Sequence, residues 1–469
     1  MSQASLWDWR DELDAVPSSG GLIVDLFAGG GGASAGIEEA MGRPIDIAIN
    51  HDAVALAVHR ANHPNTQHLT ADIWEVRPEE ACQGRPVDVL WASPDCTHFS
   101  AAKGDVPRRQ DIRSLAWVVI RWAKAVKPKL ICLENVTEFQ GWGPLGEDGK
   151  PNKSRMGQTF KRWASTLQGL GYSVDWRVLD ASEYGTPTKR KRLFLVARLD
   201  GGAISWPTKT HGTGLLPLAS AAGCIDWSLP APSIFGRKRP LAEKTLARVA
   251  AGIQRYVLED RDPFVVGDHI PTLIQTGWGE REGQRPRYLD IHEPLGTLMA
   301  GGVKHALVSA FLAKHFGGVV GNDMRRPTST ITAKDHHSVA TAALEPAPRG
   351  SARVDEVRAF LTAFYSSDGA PGMGSGMRAP LRTVTSKGRF GLVTVRGIEY
   401  QIVDIGMRML EPHELLAAQF GRFAESYDMD DAKTKTAKVR LIGNSVCPEV
   451  ASAIVQANAP ETAQREVAA

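Results

Sequence analysis

A single cysteine follows directly on an apolar run in the segment VDVLWASPDCTHFS, residues 87–100. The run VDVLW predicts a buried strand, so Cys96 would lie just past the strand's carboxyl end, where open α/β sheets bind their ligands. A lone cysteine is usually packing material, but polar residues and the basic stretch AAKGDVPRRQDIRS follow this one. The position favours a nucleophile, because a thiolate can attack a bound substrate and form a covalent intermediate.

A carboxylate and two arginines occupy comparable positions further along the chain. The run KLICLENV contains Glu134 near its end, and GTPTKRKRLFLVA carries Arg190 and Arg192 at alternate positions. Alternate residues of a strand face one side, so the two guanidinium groups should reach one place. Such groups can stabilise charge that develops on a substrate. Ordinary roles also remain open, since the acid can cap a helix and the arginines can mark a basic edge strand.

Four consecutive glycines separate the first apolar run from a helical stretch in VDLFAGGGGASAG. Glycine lets the backbone turn sharply and approach a ligand closely, and the next helix offers free N–H groups at its N-terminus. The segment predicts a nucleotide-like ligand at this edge of a sheet. It also fits the dinucleotide fingerprint, which is weak evidence when it stands alone, and close packing of strand and helix would need glycines too.

Two polar positions can complete a nucleotide site. The second apolar run ends at Asn50 and His51, where a ribose partner is expected. Asp72 and Ile73 precede the next apolar strand, and an aspartate there can accept a hydrogen bond from an adenine amino group.

The elements that must position these residues form an alternating pattern. Apolar runs read GLIVDLF, DIAIN, VDVLWAS, KLICLEN and RLFLVAR, with helical stretches at 33–41, 52–62, 112–126 and 156–170. This alternation predicts an α/β fold with a Rossmann-like, doubly wound, mostly parallel sheet in a domain over residues 1–200.

Residues 201–401 have a different texture, richer in Gly, Pro, Thr and His, with helical periodicity confined to 241–258 and 353–364. A degenerate Pro-x-x-Thr repeat, unevenly spaced, predicts short strands joined by turns, and so a mainly β insert. From about residue 402 the chain becomes helical again and returns to the first domain over 402–469, with GNSV as a Gly-Asn turn leading into a helix. The repeat aligns Pro294, Pro327 and Pro380, and likewise Thr297, Thr330 and Thr383.

Composition narrows the class of protein. The chain of 469 residues is 43% hydrophobic and 23% charged, which is ordinary for a globular protein. Its five scattered cysteines include no CxxC pair and no cluster at zinc spacing, so neither disulfides nor a metal site is expected. The sequence has no long apolar stretch, which predicts a cytoplasmic protein without a membrane partner. Residues 101–200 hold 19 basic against 10 acidic residues, an excess that can face a polyanion.

The motifs DLFAGGGG, PDC, ENV, TKRKR and IGNSV, in this order, resemble those of the DNA (cytosine-5) methyltransferases of bacterial or phage type. The resemblance extends over 21–200 and 402–456, and 201–401 occupies the place of that family's target recognition domain. It implies transfer of a methyl group from S-adenosylmethionine to carbon 5 of a flipped-out cytosine in a specific duplex DNA sequence, through a covalent cysteine adduct at carbon 6.

The resemblance assigns roles by position. Cys96 resembles the catalytic thiolate, Glu134 the acid at ring nitrogen 3, and Arg192 the contact to the cytosine carbonyl oxygen, with Arg190 in support. Arg408, Glu411 and Glu414 would lie in a helix that supports the recognition domain. The implied cofactor site comprises Asp25, Phe27, Ala28, Gly29, Gly30, Gly31, Gly32, Asn50, His51, Asp72, Ile73, Pro94, Asn444 and Ser445.

DNA contacts are expected in two regions. The basic loop from Lys103 to Arg113 can hold phosphates over a flipped nucleotide, and side chains after each Pro-x-x-Thr unit can contact guanines. These are Lys304, His305, Lys334, His336, His337, Lys387 and Arg389.

Four positions depart from the family pattern. Asp95 replaces a proline before Cys96, and the extra anion should raise the pKa of that thiol. Asn50 stands for the ribose-binding glutamate, Thr188 for a glutamine and Cys447 for a proline. The departures bear on cofactor affinity and fine geometry, not on the class of reaction.

The expected partner is double-stranded DNA, and the resemblance suggests a monomer. A restriction partner, a lone housekeeping enzyme and a phage role all remain open. Three other interpretations also remain. An inert DNA-binding relative would be expected to lack Cys96 or Glu134, and both are present. In the second interpretation the protein is still a methyltransferase, but its substrate is RNA or its methyl donor is a different one. The interpretation as a dehydrogenase explains only the glycines. Binding of NAD in preference to S-adenosylmethionine would restore that interpretation.

Overall fold

The computed structural model describes residues 20–95, 115–146, 148, 150–266, 269–276, 284–302, 304–314, 356–357, 360–361, 392–395 and 398–459. Contacts divide the chain into two compact units. The first comprises Met1–Asp226, His292–Val303 and Leu410–Ala469, and the second Trp227–Ile291 and Lys304–Met409. The sequence-based limits at 200 and 401 stay a prediction.

The first unit is built on a seven-stranded sheet of order β3-β2-β1-β4-β5-β8-β6, in which the first five strands are parallel and β8 runs antiparallel to both its neighbours. The prediction of a doubly wound, mostly parallel sheet is confirmed. A separate pair joins the short strands β7 and β11 in parallel. The strands are β1 (Leu22–Leu26), β2 (Ile47–Asn50), β3 (Gln67–Thr70), β4 (Val87–Ala92), β5 (Leu130–Asn135), β6 (Ser173–Asp180), β7 (Thr188–Lys189), β8 (Lys191–Arg198) and β11 (Leu295–Gly296).

Helices cover both faces of this sheet. α3, α4 and α5 contribute to the core on one face, and α1 and α9 to the core on the other. Burial on both faces explains why β1, β4 and β5 are continuous apolar runs rather than alternating ones. The helices are α1 (Gly32–Met41), α2 (Ala53–Asn62), α3 (Pro78–Ala81), α4 (Trp117–Val126), α5 (Gln158–Gly169), α6 (Glu243–Ile253, in the second unit), α7 (Pro412–Phe420), α8 (Lys435–Asn444) and α9 (Pro448–Asn458). 3₁₀ segments span Thr137–Gly141, Lys153–Arg155, Ala181–Tyr184, Ala221–Cys224 and Gly421–Ser426, and a π turn spans Gln254–Leu258.

Two strands of the sheet, β3 and β6, are not among the five runs that the sequence predicted. They are the outermost strands. β3 reads QHLT, and β6 is mostly exposed or half-buried. Edge strands need less apolar surface than central ones, so hydrophobic runs do not reveal them.

The second unit contains a five-stranded antiparallel sheet of order β10-β9-β12-β14-β13. α6 packs on it through Val249 and Ile253, which share a core with Ile270 and Ile274. The mainly β prediction for this region is confirmed. Its strands are β9 (His269–Gln275), β10 (Tyr288–Leu289), β12 (His305–Lys314), β13 (Leu392–Val395) and β14 (Ile398–Met409).

The prediction that the chain becomes helical again from about residue 402 was wrong. β14 continues to Met409 because its side chains Ile402, Ile405 and Met407 pack into the core of the second unit, and α7 begins only at Pro412. Arg408 therefore lies in a strand, not in the predicted helix. Glu411 and Glu414 form the capping box that starts α7.

The GNSV segment also differs from the prediction. Gly443 and Asn444 are the last residues of α8, and the turn comes after them, before α9. A side chain at Gly443 would collide with the backbone of Met299 and Ala300, so this glycine permits close packing rather than a turn. Among the described helices, none combines the length and apolarity needed to cross a membrane.

Of the repeated segments, the copies at 326–339 and 379–391 lie outside the described residues. In the first copy, His305 is buried in β12 and not at an exposed turn, so its predicted role in base contact was wrong. Burial lowers the pKa of His305 to about 4, which keeps the imidazole neutral.

Candidate active site

The glycine loop connects β1 to α1 at the carboxyl edge of the sheet. Phe27 and Gly31 have φ of 62° and 93°, in the left-handed region, and Gly31 caps the N-terminus of α1. Among the described residues, a methyl group at Gly29 would meet no atom within 4 Å, whereas at Gly31 it would collide with Tyr427 and His63. A side chain would thus have room at Gly29, whereas tight packing requires a glycine at position 31.

The segment after α8 packs against the same loop. A side chain at Gly32 would collide with Ser445 Oγ and the carbonyl oxygen of Val446. Ser445 is buried, and its carbonyl oxygen accepts a hydrogen bond of 2.7 Å from Gln419 Nε2. Asn444 is exposed. The structure therefore brings Ser445 to the glycine loop, as the position of GNSV predicted.

Asp25 lies buried at the base of the loop. Its Oδ2 accepts a hydrogen bond of 2.7 Å from Ser34 Oγ, and its Oδ1 has no hydrogen-bond partner among the described residues. Burial raises the pKa of Asp25 to about 7, although the Ser34 hydrogen bond opposes the shift. An unpaired buried oxygen is costly unless a ligand group reaches it.

The polar groups proposed for ribose and adenine lie at the same edge. Asn50 Nδ2 donates to the carbonyl oxygen of Ala28 at 3.1 Å, and Asn50 Oδ1 accepts from the backbone N–H of Asp52 at 2.9 Å. Asn50 therefore ties the loop to the end of β2. The next residue, His51, is exposed.

Asp72 precedes β4, as the sequence predicted, and it also follows β3, which the sequence did not predict. The backbone N–H of Ala71 donates to Asn50 O at 3.1 Å, which extends the pairing of β3 with β2. Asp72 is exposed and accepts a hydrogen bond from the Trp74 N–H at 3.0 Å, whereas Ile73 is buried. The missed strand β3 thus brings Asp72 to the edge that carries Asn50.

Cys96, the basic loop from Lys103 to Arg113, and Lys334, His336, His337, Lys387 and Arg389 lie outside the described residues. The segment before Cys96 is described. Ser93 N–H donates to Leu26 O at 3.3 Å, and Pro94 is buried. Asn135 Nδ2 donates to Pro94 O at 3.1 Å, while Asn135 Oδ1 accepts from the Val136 N–H at 2.9 Å. Asn135 was not predicted as a site residue; its signal is an amide directly after a strand-end acid.

Glu134, Arg190 and Arg192 line one cavity. Glu134 Oε1 lies 3.3 Å from Arg192 Nε, and Arg190 Nη1 donates to Leu298 O at 3.2 Å. Burial raises the pKa of Glu134, and the two arginines oppose that shift. The cavity is lined by Glu134, Ala181, Arg190, Arg192, Phe194, Val446, Cys447 and Val450.

Cys447 lines this cavity and Glu449 lies two residues further along the chain, and the sequence analysis assigned neither side chain a role in the site. Burial raises the pKa of the Cys447 thiol to about 12, so it stays protonated. Glu449 Oε2 accepts a hydrogen bond of 2.9 Å from Thr186 Oγ1, two residues before Thr188. Burial raises the pKa of Glu449 to about 7. Neither residue type stands out in a sequence, because only burial makes these groups unusual.

Comparison with known proteins agrees with this geometry. Residues 22–213 match the family model of the C-5 cytosine-specific DNA methylase. The Type II methyltransferase M.SacI of Streptomyces achromogenes is 30% identical over 210 residues, which are 40% of this chain and 50% of that protein. M.Sau3AI of Staphylococcus aureus is 30% identical over 186 residues, 37% of this chain and 42% of that protein. The similarity to the DNA (cytosine-5) methyltransferases is thus confined to the first part of the chain, and the matched segments span half or less of these two relatives.

A crystal structure of a Spodoptera frugiperda DNMT2 variant aligns with 93% of this chain and 99% of its own, at 14% identity and a TM-score of 0.49.

Proposed function

We propose that the chain transfers a methyl group from S-adenosylmethionine to carbon 5 of a cytosine in duplex DNA. One observation carries this proposal: a buried acid, Glu134, shares a cavity with Arg190 and Arg192 in the segment that is similar to the C-5 cytosine-specific DNA methylase family. Because M.SacI and M.Sau3AI are matched over half of their length or less, we infer the activity of the whole protein from the site.

The residues of the glycine loop fit the methyl donor. Gly29 faces open space, and the unpaired Oδ1 of Asp25 can accept a hydrogen bond from an ammonium group. The N-terminus of α1 offers free N–H groups and a positive dipole end to a carboxylate. Bound there, S-adenosylmethionine supplies an electrophilic methyl group. The proposed contacts are Asp25, Phe27, Ala28, Gly29, Gly30, Gly31, Gly32, Asn50, His51, Asp72, Ile73, Pro94, Asn444 and Ser445.

The chemical step needs a nucleophile, because cytosine carbon 5 is itself weakly reactive. Attack of the Cys96 thiolate at carbon 6 forms a carbon–sulfur bond and opens the double bond between carbons 5 and 6, which makes carbon 5 electron-rich. Carbon 5 can then take the methyl group as the methyl–sulfur bond of the sulfonium donor breaks, which leaves the donor as a neutral thioether. Loss of the carbon 5 proton and then of the cysteine restores the aromatic ring. Water can take that proton.

The cavity stabilises the ring while Cys96 is attached. The raised pKa of Glu134 favours a protonated carboxyl, which can donate to ring nitrogen 3. Arg192 can donate to the carbonyl oxygen of the base, and Arg190 supports it. Both contacts strengthen as negative charge develops on the ring, so they act on the transition state more than on the bound substrate.

A cytosine inside a duplex cannot reach Cys96, so the target base must be flipped out, at a cost of a few kcal/mol. We propose that the second unit reads the flanking bases and that the loop from Lys103 to Arg113 holds phosphates. We further propose that the protein is a monomer and that it has a cognate restriction endonuclease. The similarity to Type II methyltransferases supports the second of these proposals only.

The test begins with bisulfite sequencing of DNA from cells that express the chain, which identifies the base and the site. An oligonucleotide with 5-fluorocytosine at that site should then form a stable adduct with the wild-type chain in the presence of the donor. Cys96→Ala should form none. Glu134→Gln should slow methylation by about 10²-fold or more, as expected for loss of a general acid. Absence of an adduct with the wild type, or methylation by Cys96→Ala at the wild-type rate, would contradict the proposal.

A further inference from the structure

A tyrosine of the C-terminal segment lies against the glycine loop. Tyr427 follows the 3₁₀ segment Gly421–Ser426, and its hydroxyl donates to the carbonyl oxygen of Gly30. Its ring packs on Phe420, with 4.6 Å between ring centroids. Burial, with Glu38 and Asp25 nearby, raises the pKa of Tyr427 well above its usual range, so the hydroxyl remains a donor.

The loop is shaped to accept this side chain. The hydroxyl of Tyr427 also lies 3.3 Å from His63 Nε2, and His63 Nδ1 lies 2.9 Å from Glu38 Oε2 of α1. A methyl group at Gly31 would collide with both Tyr427 and His63. Tyr427 therefore occupies the space that would otherwise allow a side chain at Gly31, and it meets the loop from the C-terminal segment.

The backbone beside Tyr427 is itself fixed to α2. Asp428 N–H donates to Asn62 Oδ1 at 2.8 Å, and Asn62 Nδ2 donates back to Asp428 O at 2.7 Å. Arg440 of α8 adds an ion pair of 2.6 Å with Asp52, the residue that caps α2. These contacts fix the segment that carries Tyr427 against α2, so the tyrosine hydroxyl has little freedom to move away from the carbonyl oxygen of Gly30.

We propose that Tyr427 is a positioning residue for the donor site: by holding the Gly30 carbonyl it fixes the open face of the loop at Gly29. The inference rests on the proposed function, because it assumes that this loop binds S-adenosylmethionine. Without the hydroxyl, the Gly30 carbonyl loses a buried hydrogen bond and the loop can relax from the conformation that the donor needs. Tyr427 acts on donor binding: its hydroxyl and ring contact Gly30, His63 and Phe420, and these three residues do not line the cavity around Glu134.

The experiment compares two tyrosines that make the same bond in different places. Tyr172 is buried and its hydroxyl donates to Pro128 O at 2.8 Å, away from the loop. Tyr427→Phe and Tyr172→Phe each remove one hydroxyl that donates a hydrogen bond to a backbone carbonyl oxygen. For Tyr427→Phe, the Kd of S-adenosylmethionine measured by titration calorimetry should rise about tenfold, as when a buried carbonyl loses its donor. The KM for the donor should rise by a similar factor, while kcat should stay within about twofold of the wild-type value. Tyr172→Phe should keep the wild-type Kd while losing some thermal stability.

An unchanged Kd in Tyr427→Phe overturns the inference, as does an equal rise in both variants, which would mean a general structural effect. A fall in kcat with an unchanged KM would also overturn it. Donor binding is measured without DNA, so a wild type that binds the donor yet methylates no DNA refutes the proposed function and leaves this comparison intact. A wild type that binds no donor refutes both.

Discussion

Burial gives three carboxyl groups of the first unit properties that their residue types do not predict. Desolvation is the largest cause of the raised pKa values of Asp25, Glu134 and Glu449. The charged form loses more solvation than the neighbouring groups restore. For Glu134 the raised pKa shifts the carboxyl toward the protonated form, which under the proposed function is the form that donates to the cytosine. For Glu449 we expect a consequence for stability.

Glu449 should make stability depend on pH. Its pKa is about 7 in the folded protein and ordinarily 4.5, so between these values the folded chain keeps a proton that the unfolded chain has lost. The stability that this group contributes is complete below about pH 4.5 and is lost as the pH rises to about 7. Thermal unfolding of Glu449→Gln should therefore vary less over that window than unfolding of the wild type.

The control is Glu425→Gln, which alters an exposed carboxyl of the same unit. It should keep the wild-type pH profile. Identical profiles for wild type and Glu449→Gln would contradict the prediction.

At the scale of elements, the loop between β1 and α1 combines two requirements. It must leave backbone open to a ligand at Gly29, and it must accept Tyr427, His63 and Ser445 at its other end. The same residue type meets both needs for different reasons. Only the neighbours show which glycine serves which purpose.

Two alanine substitutions separate these requirements. Gly31→Ala should destabilise the protein, with about 1–2 kcal/mol from the left-handed backbone alone and more from the collision with Tyr427. Gly29→Ala should unfold like the wild type, because its methyl group meets no protein atom, but it should bind S-adenosylmethionine more weakly. Urea denaturation and titration calorimetry on both variants provide the measurements. A stable Gly31→Ala, or a Gly29→Ala that binds the donor normally, would contradict this division.

At the scale of the whole molecule, the first unit is assembled from distant parts of the chain. α9 packs on α1 through Val450, Ala451 and Ile454, all within the core on that face of the sheet. A side chain at Gly36 of α1 would collide with the backbone of Pro448 and Ser452, so the two helices are in close contact. The C-terminal helix is thus part of the core.

Ile454→Ala should therefore destabilise the first unit by about 2–5 kcal/mol, the usual cost of truncating a buried isoleucine. Val178→Ala provides the contrast, because Val178 is 43% exposed on the edge strand β6 and should cost less than about 0.5 kcal/mol. Chemical denaturation of the purified chain measures both. Equal losses in the two variants would show that α9 is not an integral part of this core.

Hydrophobic patterning was enough to predict the central strands and the helices between them, because fully buried parallel strands are continuous apolar runs and their polar ends stand out. The alternation in TKRKR predicted that Arg190 and Arg192 face one side, and the family resemblance added Glu134 to the same site. It did not reveal β3 or β6, whose edge positions require little apolar surface.

Several contacts of the candidate site depend on how distant parts of the chain fold together. Asp72 reaches the ligand edge through β3, Asn135 fixes Pro94, and Tyr427 holds Gly30 from nearly 400 residues away in the chain. Contacts between residues so far apart leave no local pattern. Whether a glycine is open or enclosed, and whether an acid keeps its proton, depends on which distant side chains exclude water around it.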